Sequence, residues 1–156
     1  MQRKNKENES DGVVKNGSKL RVGVVVSDYY VAEVTAELLA GALETLSAWK
    51  VAKKNITVVR TPGCFEIPYG CLILLKKKKY DAIITLGCIV KGETDHDKYI
   101  ASAVSQGLMD LTLQYGKPIS LGMLTVNTLA QAKARSMGTN NKGIEAAVAA
   151  MEMALL

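Results

Sequence analysis

Aromatic side chains are scarce in this sequence: one Phe, one Trp and six Tyr among 156 residues, 5% of the chain against 48% hydrophobic residues. A core drawn from that mixture is mostly Val, Ile, Leu, Met and Ala, which favours layered α/β packing over a small aromatic-rich β barrel. Histidine occurs once, and cysteine three times, as Cys64, Cys71 and Cys88. Three thiols form neither an even disulfide framework nor a Cys-x-x-Cys ligand pair, so a reducing, cytoplasmic location fits best. A lone imidazole with no second histidine or cysteine pair beside it is a poor metal-ligand set, and no metal is expected. No apolar run approaches the roughly 18 residues that span a bilayer, and the charged amino terminus lacks the apolar stretch of a secretory signal. The expectation is a soluble, unexported protein with no membrane partner. Gly-x-Ser-x-Gly, P-loop and Gly-x-Gly-x-x-Gly motifs are also missing, which removes the serine hydrolase, NTPase and dinucleotide readings at motif level.

The formal charge of +5 invites a nucleic-acid reading, but its distribution argues against one. Residues 1–19 hold five Lys or Arg against three acids, so a surplus of two sits in a polar segment. A second block, Lys76 to Lys79, ends a helix-like run, where cations suit the negative pole of the helix dipole. No basic stripe is interleaved with aromatics, so no nucleic-acid partner is expected.

At this length the chain is suited to one compact domain with a real core. Residues 1–18 read as a polar tail, expected to be disordered or ordered only against a partner, with Val13 and Val14 able to add a short strand to a neighbouring sheet edge. Residues 19–156 read as a single domain. "LRVGVVVS" is a β-branched run without polar alternation, the signature of a strand buried on both faces. Val34, Leu38, Leu39, Ala42, Leu43 and Leu46 then recur at helical spacing. The alternation continues: strand "ITVVRTPG", helix "FEIPYGCLILLKKKK" with Pro68 in its first turn, and the most apolar strand, "YDAIITLGCIV". Next come a helix with Ile100, Ala103, Val104, Gly107, Leu108 and Leu111 inward, strand "ISLGMLTV", a helix from Thr128 to Arg135, and a last helix with Ile144, Ala147, Val148 and Met151 inward. Strands and helices in alternation predict a mostly parallel sheet covered on both faces by helices, with any ligand at the carboxyl ends of the strands. The loops there are "SDYY", "TPGCFE", "GCIVKGETDH" and "TVNT".

The only histidine lies in the third of these loops. Thr94-Asp95-His96-Asp97 has the form of a capping box, with the Thr94 hydroxyl placed to accept from the Asp97 amide. Gly92, Glu93 and Thr94 would then lead into a helix amino terminus, whose free amides and positive dipole pole suit an anion such as phosphate. A positive helix end disfavours the imidazolium of His96 while Asp95 and Asp97 favour it, a balance that suits taking and giving a proton. Spacing alone is equally satisfied by a well-capped helix bearing an exposed histidine without duty. Cys88, at the same strand end, raises a Cys-His nucleophile pair as a further reading, although a thiol inside an apolar run is more often simply buried.

The stretches "TPGCFEIPYG", "YDAIITLGCIVKGETDHDKYIASAVSQGLMDLTLQYGKPISLGMLT" and "NKGIEAAVAAMEMALL" resemble the 6,7-dimethyl-8-ribityllumazine synthase family, in unbroken order over residues 20–156. The resemblance implies a flavodoxin-like three-layer sandwich: a four-stranded parallel sheet with helices on both faces. It implies a homo-oligomer, a pentamer or a sixty-subunit assembly. It also implies a cofactor-free condensation of 5-amino-6-(D-ribitylamino)uracil with 3,4-dihydroxy-2-butanone 4-phosphate, releasing phosphate and water. By position, His96 matches the proton-transferring histidine; Gly92, Glu93, Thr94 and Arg135 match the phosphate site. Cys64, Phe65 and Glu66 match the segment holding the ribityl-uracil, Cys88, Ile89 and Val90 the strand against the pyrimidine, and Lys142 the active-site lysine.

Three departures stand out. Asp28-Tyr29-Tyr30 replaces an Arg-Phe-Asn-like triplet; counting from the strand makes Tyr29 the ring that stacks on the pyrimidine, counting back from the helix makes it Tyr30, and Tyr29 is preferred. Leu121 stands where a neighbouring subunit often supplies an aromatic residue, and the stretch from Arg135 to Lys142 is one residue short. Two rivals share the resemblance: an archaeal-type riboflavin synthase, and a noncatalytic flavin-binding or shell-forming paralogue.

Overall fold

The computed structural model describes residues 15–156. Residues 1–14, and with them the edge strand expected at Val13 and Val14, lie outside the described residues. Within the expected tail, Gly17 is buried, and its N–H donates to the Trp49 carbonyl at 2.6 Å.

Four strands form one sheet: β1 (Val22–Ser27), β2 (Ile56–Thr61), β3 (Ala82–Val90) and β4 (Ile119–Val126). Every pairing is parallel and the order is β2-β1-β3-β4. The helices are α1 (Ala36–Ala48), α2 (Ile67–Lys76), α3 (His96–Tyr115), α4 (Leu129–Ser136) and α5 (Lys142–Ala154). A π-helical turn, Val31–Thr35, leads into α1.

The unbroken apolar runs become the two central strands because those strands are covered on both faces. All six residues of β1 are buried, as are the first eight of the nine in β3. One side of the sheet packs Val22, Val24, Val26, Ile84 and Leu86 beneath α1, α4 and α5; the other packs Val25, Ile83 and Met123 beneath α2 and α3. The three-layer flavodoxin-like sandwich expected from the sequence is the observed architecture.

The inner face of α5 differs from expectation. Gly143, Ala146, Ala147, Ala150 and Met151 are buried, whereas Ile144 and Val148 are only half-buried. Small side chains turn inward because α5 lies close to α1: a Cβ on Gly143 would collide with the Leu38 backbone carbonyl. Asn141 fixes that approach. Its Nδ2 donates to the Glu37 carbonyl at 2.7 Å, and its Oδ1 accepts from the Gly143 N–H at 2.8 Å, capping α5.

The amino ends of the strands carry a dense positive charge. Lys19 and Arg21 precede β1, Lys50, Lys53 and Lys54 precede β2, Lys76 to Lys79 precede β3, and Lys117 precedes β4: half of the chain's 20 Lys and Arg. The three ion pairs among the described residues lie elsewhere. Most of these lysines follow helix carboxyl termini, whose negative dipole ends favour cations.

Replacing Gly143 by Ala is expected to destabilise the fold by about 1 to 3 kcal/mol, since backbone must move to admit the methyl group. Urea unfolding of parent and variant checks this.

Candidate active site

A cavity of about 890 Å³ opens at the carboxyl ends of the strands. Each wall comes from a strand-end loop that the sequence singles out. Tyr29 and Tyr30 follow β1, Gly63 to Glu66 follow β2, and Cys88, Ile89 and Val90 end β3. Gly92, Thr94 and His96 complete it at the entrance to α3.

The first loop is held by three interactions. The Asp28 N–H donates to the Thr61 carbonyl at 2.8 Å, the Tyr29 N–H to Ser27 Oγ at 3.1 Å, and Arg60 Nη1 to Asp28 Oδ1 at 2.8 Å. Tyr30 adopts a left-handed backbone, φ 58°, before the π-helical turn, an unusual conformation for a bulky residue. The two rings meet edge to face with centroids 5.3 Å apart. Tyr30 packs against the core and Tyr29 is 62% exposed, so Tyr29 is the ring whose face remains open.

The second wall depends on a size match. Cys64 Sγ occupies the space that a Cβ on Gly87 would need, 2.6 Å away, so glycine in β3 admits the thiol between the layers. Glu66 stands at the N-cap position of α2 without a side-chain capping bond, and Pro68 lies in the first turn as expected.

At the third wall the capping register differs from the expected box. Helix α3 begins at His96 with Asp95 as its N-cap, and Thr94 Oγ1 accepts from the His96 N–H at 3.4 Å instead of from Asp97. The chain enters the helix one residue later than a Thr94 cap requires, which carries the Asp97 amide out of reach. His96 is exposed at the positive end of a 20-residue helix. A side chain at Gly92 would meet nothing within 4 Å, so the turn is open to a ligand. Glu93 lies in this turn, exposed but outside the residues lining the cavity.

Leu121, Arg135 and Lys142 are not brought to His96. They line a separate depression of about 690 Å³ along β4, α4 and α5. There Arg135 Nη1 donates to the Gln131 carbonyl at 3.0 Å, and Lys142 Nζ pairs with Glu145. β4 is an edge strand of the sheet, so this depression follows an edge that another chain can cover.

Asp97, Tyr99 and Ile100 also line the main cavity and were not among the expected site residues. Asp97 carried a detectable signal: it precedes Ile100, Val104 and Leu108 on the helix face that turns inward, where a carboxylate is out of pattern.

The thiols are chemically quiet. Burial pushes Cys71 up to about 12. Burial, with the neighbouring Cys64, pushes Cys88 up to about 11. Cys64 is raised chiefly by burial, and its S–H donates to the Cys88 carbonyl at 3.6 Å. A nucleophilic cysteine needs a lowered value and a base in contact, so the Cys88-His96 pair does not fit this environment. Among the described residues no group of three His, Cys, Asp or Glu is arranged to hold a metal ion, and no helix is long and apolar enough to cross a membrane.

Residues 19–156 match the 6,7-dimethyl-8-ribityllumazine synthase family. Proteins of that name are similar along most of the chain. The one from Parabacteroides distasonis is 42% identical over 141 residues, covering 90% of this chain and 88% of its own. That from Kosmotoga olearia is 43% identical over 141 residues, covering 90% of each. That from Porphyromonas gingivalis is 40% identical over 139 residues, covering 88% and 86%.

Because all three thiols are buried and the shifts favour the protonated form, iodoacetamide at pH 7 is expected to leave the native protein unmodified and to label it fully after unfolding. Intact-mass spectrometry reads the difference; rapid labelling of the native protein would contradict it.

Proposed function

The chain belongs to the 6,7-dimethyl-8-ribityllumazine synthase family, and on that premise we propose how its residues carry the reaction. It is an enzyme, a transferase of riboflavin biosynthesis. An archaeal-type riboflavin synthase or a noncatalytic paralogue is not favoured by the relatives it matches.

The substrates are 5-amino-6-(D-ribitylamino)uracil and 3,4-dihydroxy-2-butanone 4-phosphate. They bring their own amine nucleophile and phosphate leaving group, so the protein must mainly align them, move protons and stabilise the departing anion. The observation that carries this reading is the exposed His96 at the amino terminus of α3, in one cavity with the open turn at Gly92 and Thr94. The phosphate sits on that turn, Gly92, Glu93 and Thr94, where amides and the helix pole favour an anion. The pyrimidine lies over Cys88, Ile89 and Val90 with Tyr29 stacked upon it, and Cys64, Phe65 and Glu66 hold the ribityl-uracil. The amine attacks the ketone and water leaves to give an imine, His96 passes protons as phosphate leaves, and the second amine closes the ring on the remaining carbonyl with loss of a second water.

Arg135, Lys142 and Leu121 join the site from a neighbouring copy. Their depression runs along the sheet edge, while the His96 cavity is lined by no Lys or Arg, which is what two complementary halves would look like. The assembly is a homopentamer, alone or built into a sixty-subunit shell, and its location is cytoplasmic. Residues 19–156 form its single domain, against which the buried Gly17 also packs.

His96→Ala is expected to lower the rate of lumazine formation roughly 100-fold, read by absorbance with both purified substrates. Arg135→Ala raises KM for the ketone phosphate. Co-assembling the two impaired variants should raise the activity above that of either alone at limiting ketone phosphate, because some interfaces then hold His96 from one copy and Arg135 from the next. No such gain would place the whole site in one chain. Tyr29→Ala is expected to raise KM for the pyrimidine several-fold, in line with the loss of one stacked ring, while Tyr30→Ala mainly lowers the melting temperature. Mass photometry distinguishes a pentamer from a shell.

A further inference from the structure

Asp97 is anomalous in this molecule. It stands on the inner face of α3, which continues through Ile100, Val104, Leu108, Leu111 and Tyr115, and it is the only charged group on that stripe. It is 9% exposed, and its Oδ1 is wholly buried with no hydrogen-bond partner. A buried acceptor left unmatched opposes folding, and such groups are uncommon unless something absent from the bare chain satisfies them. An apolar residue would continue the stripe at no such cost.

Oδ1 is closed off inside the helix layer, and the carboxylate meets the cavity through its other oxygen, so a ligand is a candidate partner there. The titratable groups facing that space are the phenols of Tyr29, Tyr30 and Tyr99, the thiols of Cys64 and Cys88, Glu66 and His96. None of them is a hydrogen-bond or ion-pair partner of Asp97 among the described residues, and the nearby cation Lys98 pairs with Asp95 at 2.9 Å. What the site lacks is a donor.

From these observations, and resting on the substrates proposed above, we propose that Asp97 determines specificity. Its carboxylate accepts a hydrogen bond from the C3 hydroxyl of 3,4-dihydroxy-2-butanone 4-phosphate and so selects between the two mirror-image forms of that substrate. The phosphate ester stands on C4, so the C3 hydroxyl is the donor nearest the anion turn. Asp97 follows Thr94 of that turn by three residues, within the first turn of α3. Carbon C3 is the stereocentre, and one enantiomer directs its hydroxyl toward a fixed acceptor while the other directs it away. The residue acts by positioning: no proton transfer is assigned to it.

The test measures kcat/KM for each enantiomer with parent, Asp97→Asn and Asp97→Leu proteins, with melting temperatures and assembly size alongside. The parent is expected to prefer one enantiomer. Asp97→Leu should lose about tenfold on that enantiomer alone, the range for one hydrogen bond to a charged group, bringing the ratio near one. Its melting temperature should hold or rise as the apolar stripe becomes continuous. Asp97→Asn keeps an acceptor oxygen and should retain most of the preference. An unchanged ratio in Asp97→Leu, equal losses on both enantiomers, disassembly with the ratio intact, or a parent without preference would each overturn the inference. If Asp97→Leu fails to fold, loss of the preference in Asp97→Asn overturns it. A parent that forms no lumazine from either enantiomer would instead overturn the functional reading on which this rests.

Discussion

Everything at the functional end of this molecule hangs on the placement of β3. It is hydrogen-bonded to β1 on one side and β4 on the other, with apolar layers above and below. A slip of one residue would exchange its two faces, sending Ile84 and Leu86 to the layer that holds Ile83 and turning Gly87 away from Cys64. The register is therefore fixed by packing on both sides, and the strand delivers its last residues, Cys88 to Val90, to the cavity at a set height. The turn that follows and the start of α3 inherit that precision. Chemistry that depends mainly on alignment is well served by a site built at the end of a strand that cannot move.

The division between buried and exposed groups is equally informative. The potential nucleophiles, three thiols, are in the interior with their protons held on. The cavity groups left in contact with solvent are an imidazole, the rings of Tyr29, Tyr99 and Phe65, the Glu66 carboxylate and an open turn at a helix pole. That inventory suits substrates which supply their own reactive atoms and gives little to one that needs covalent attack by the protein.

Much of this was legible in the sequence, and for identifiable reasons. β1 and β3 read as unbroken apolar runs because both of their faces are covered; β4 matches its predicted span from Ile119 to Val126. The spatial order of strands was not readable from periodicity, since local pattern says nothing about the side on which a crossover returns; the family resemblance supplied the parallel sandwich, and the structure its order. The left-handed Tyr30 was also hidden, because nothing in a tyrosine announces a positive φ. The inner face of α5 was misplaced by weighing side-chain size as hydrophobicity, where close approach to α1 selects glycine and alanine. Spacing suggested a Thr94 cap to Asp97 that the backbone at Asp95 does not form. That same position proved the most informative departure, a carboxylate where the helical stripe calls for an aliphatic side chain.

The lysine-rich ends of the strands give the molecule a lopsided electrostatic shape. One pole collects ten cations; the opposite pole mixes Glu66, Glu93, Asp95 and Asp97 with a few bases. Two such chains approaching lysine face to lysine face repel, whereas side-by-side contacts, with like poles aligned and apart, carry less of that penalty. The repulsion reaches only about 10 Å at 0.1 M salt. Ionic strength thus acts as a dial on which mutual orientations of the copies are tolerated, without touching a single residue at the reacting end.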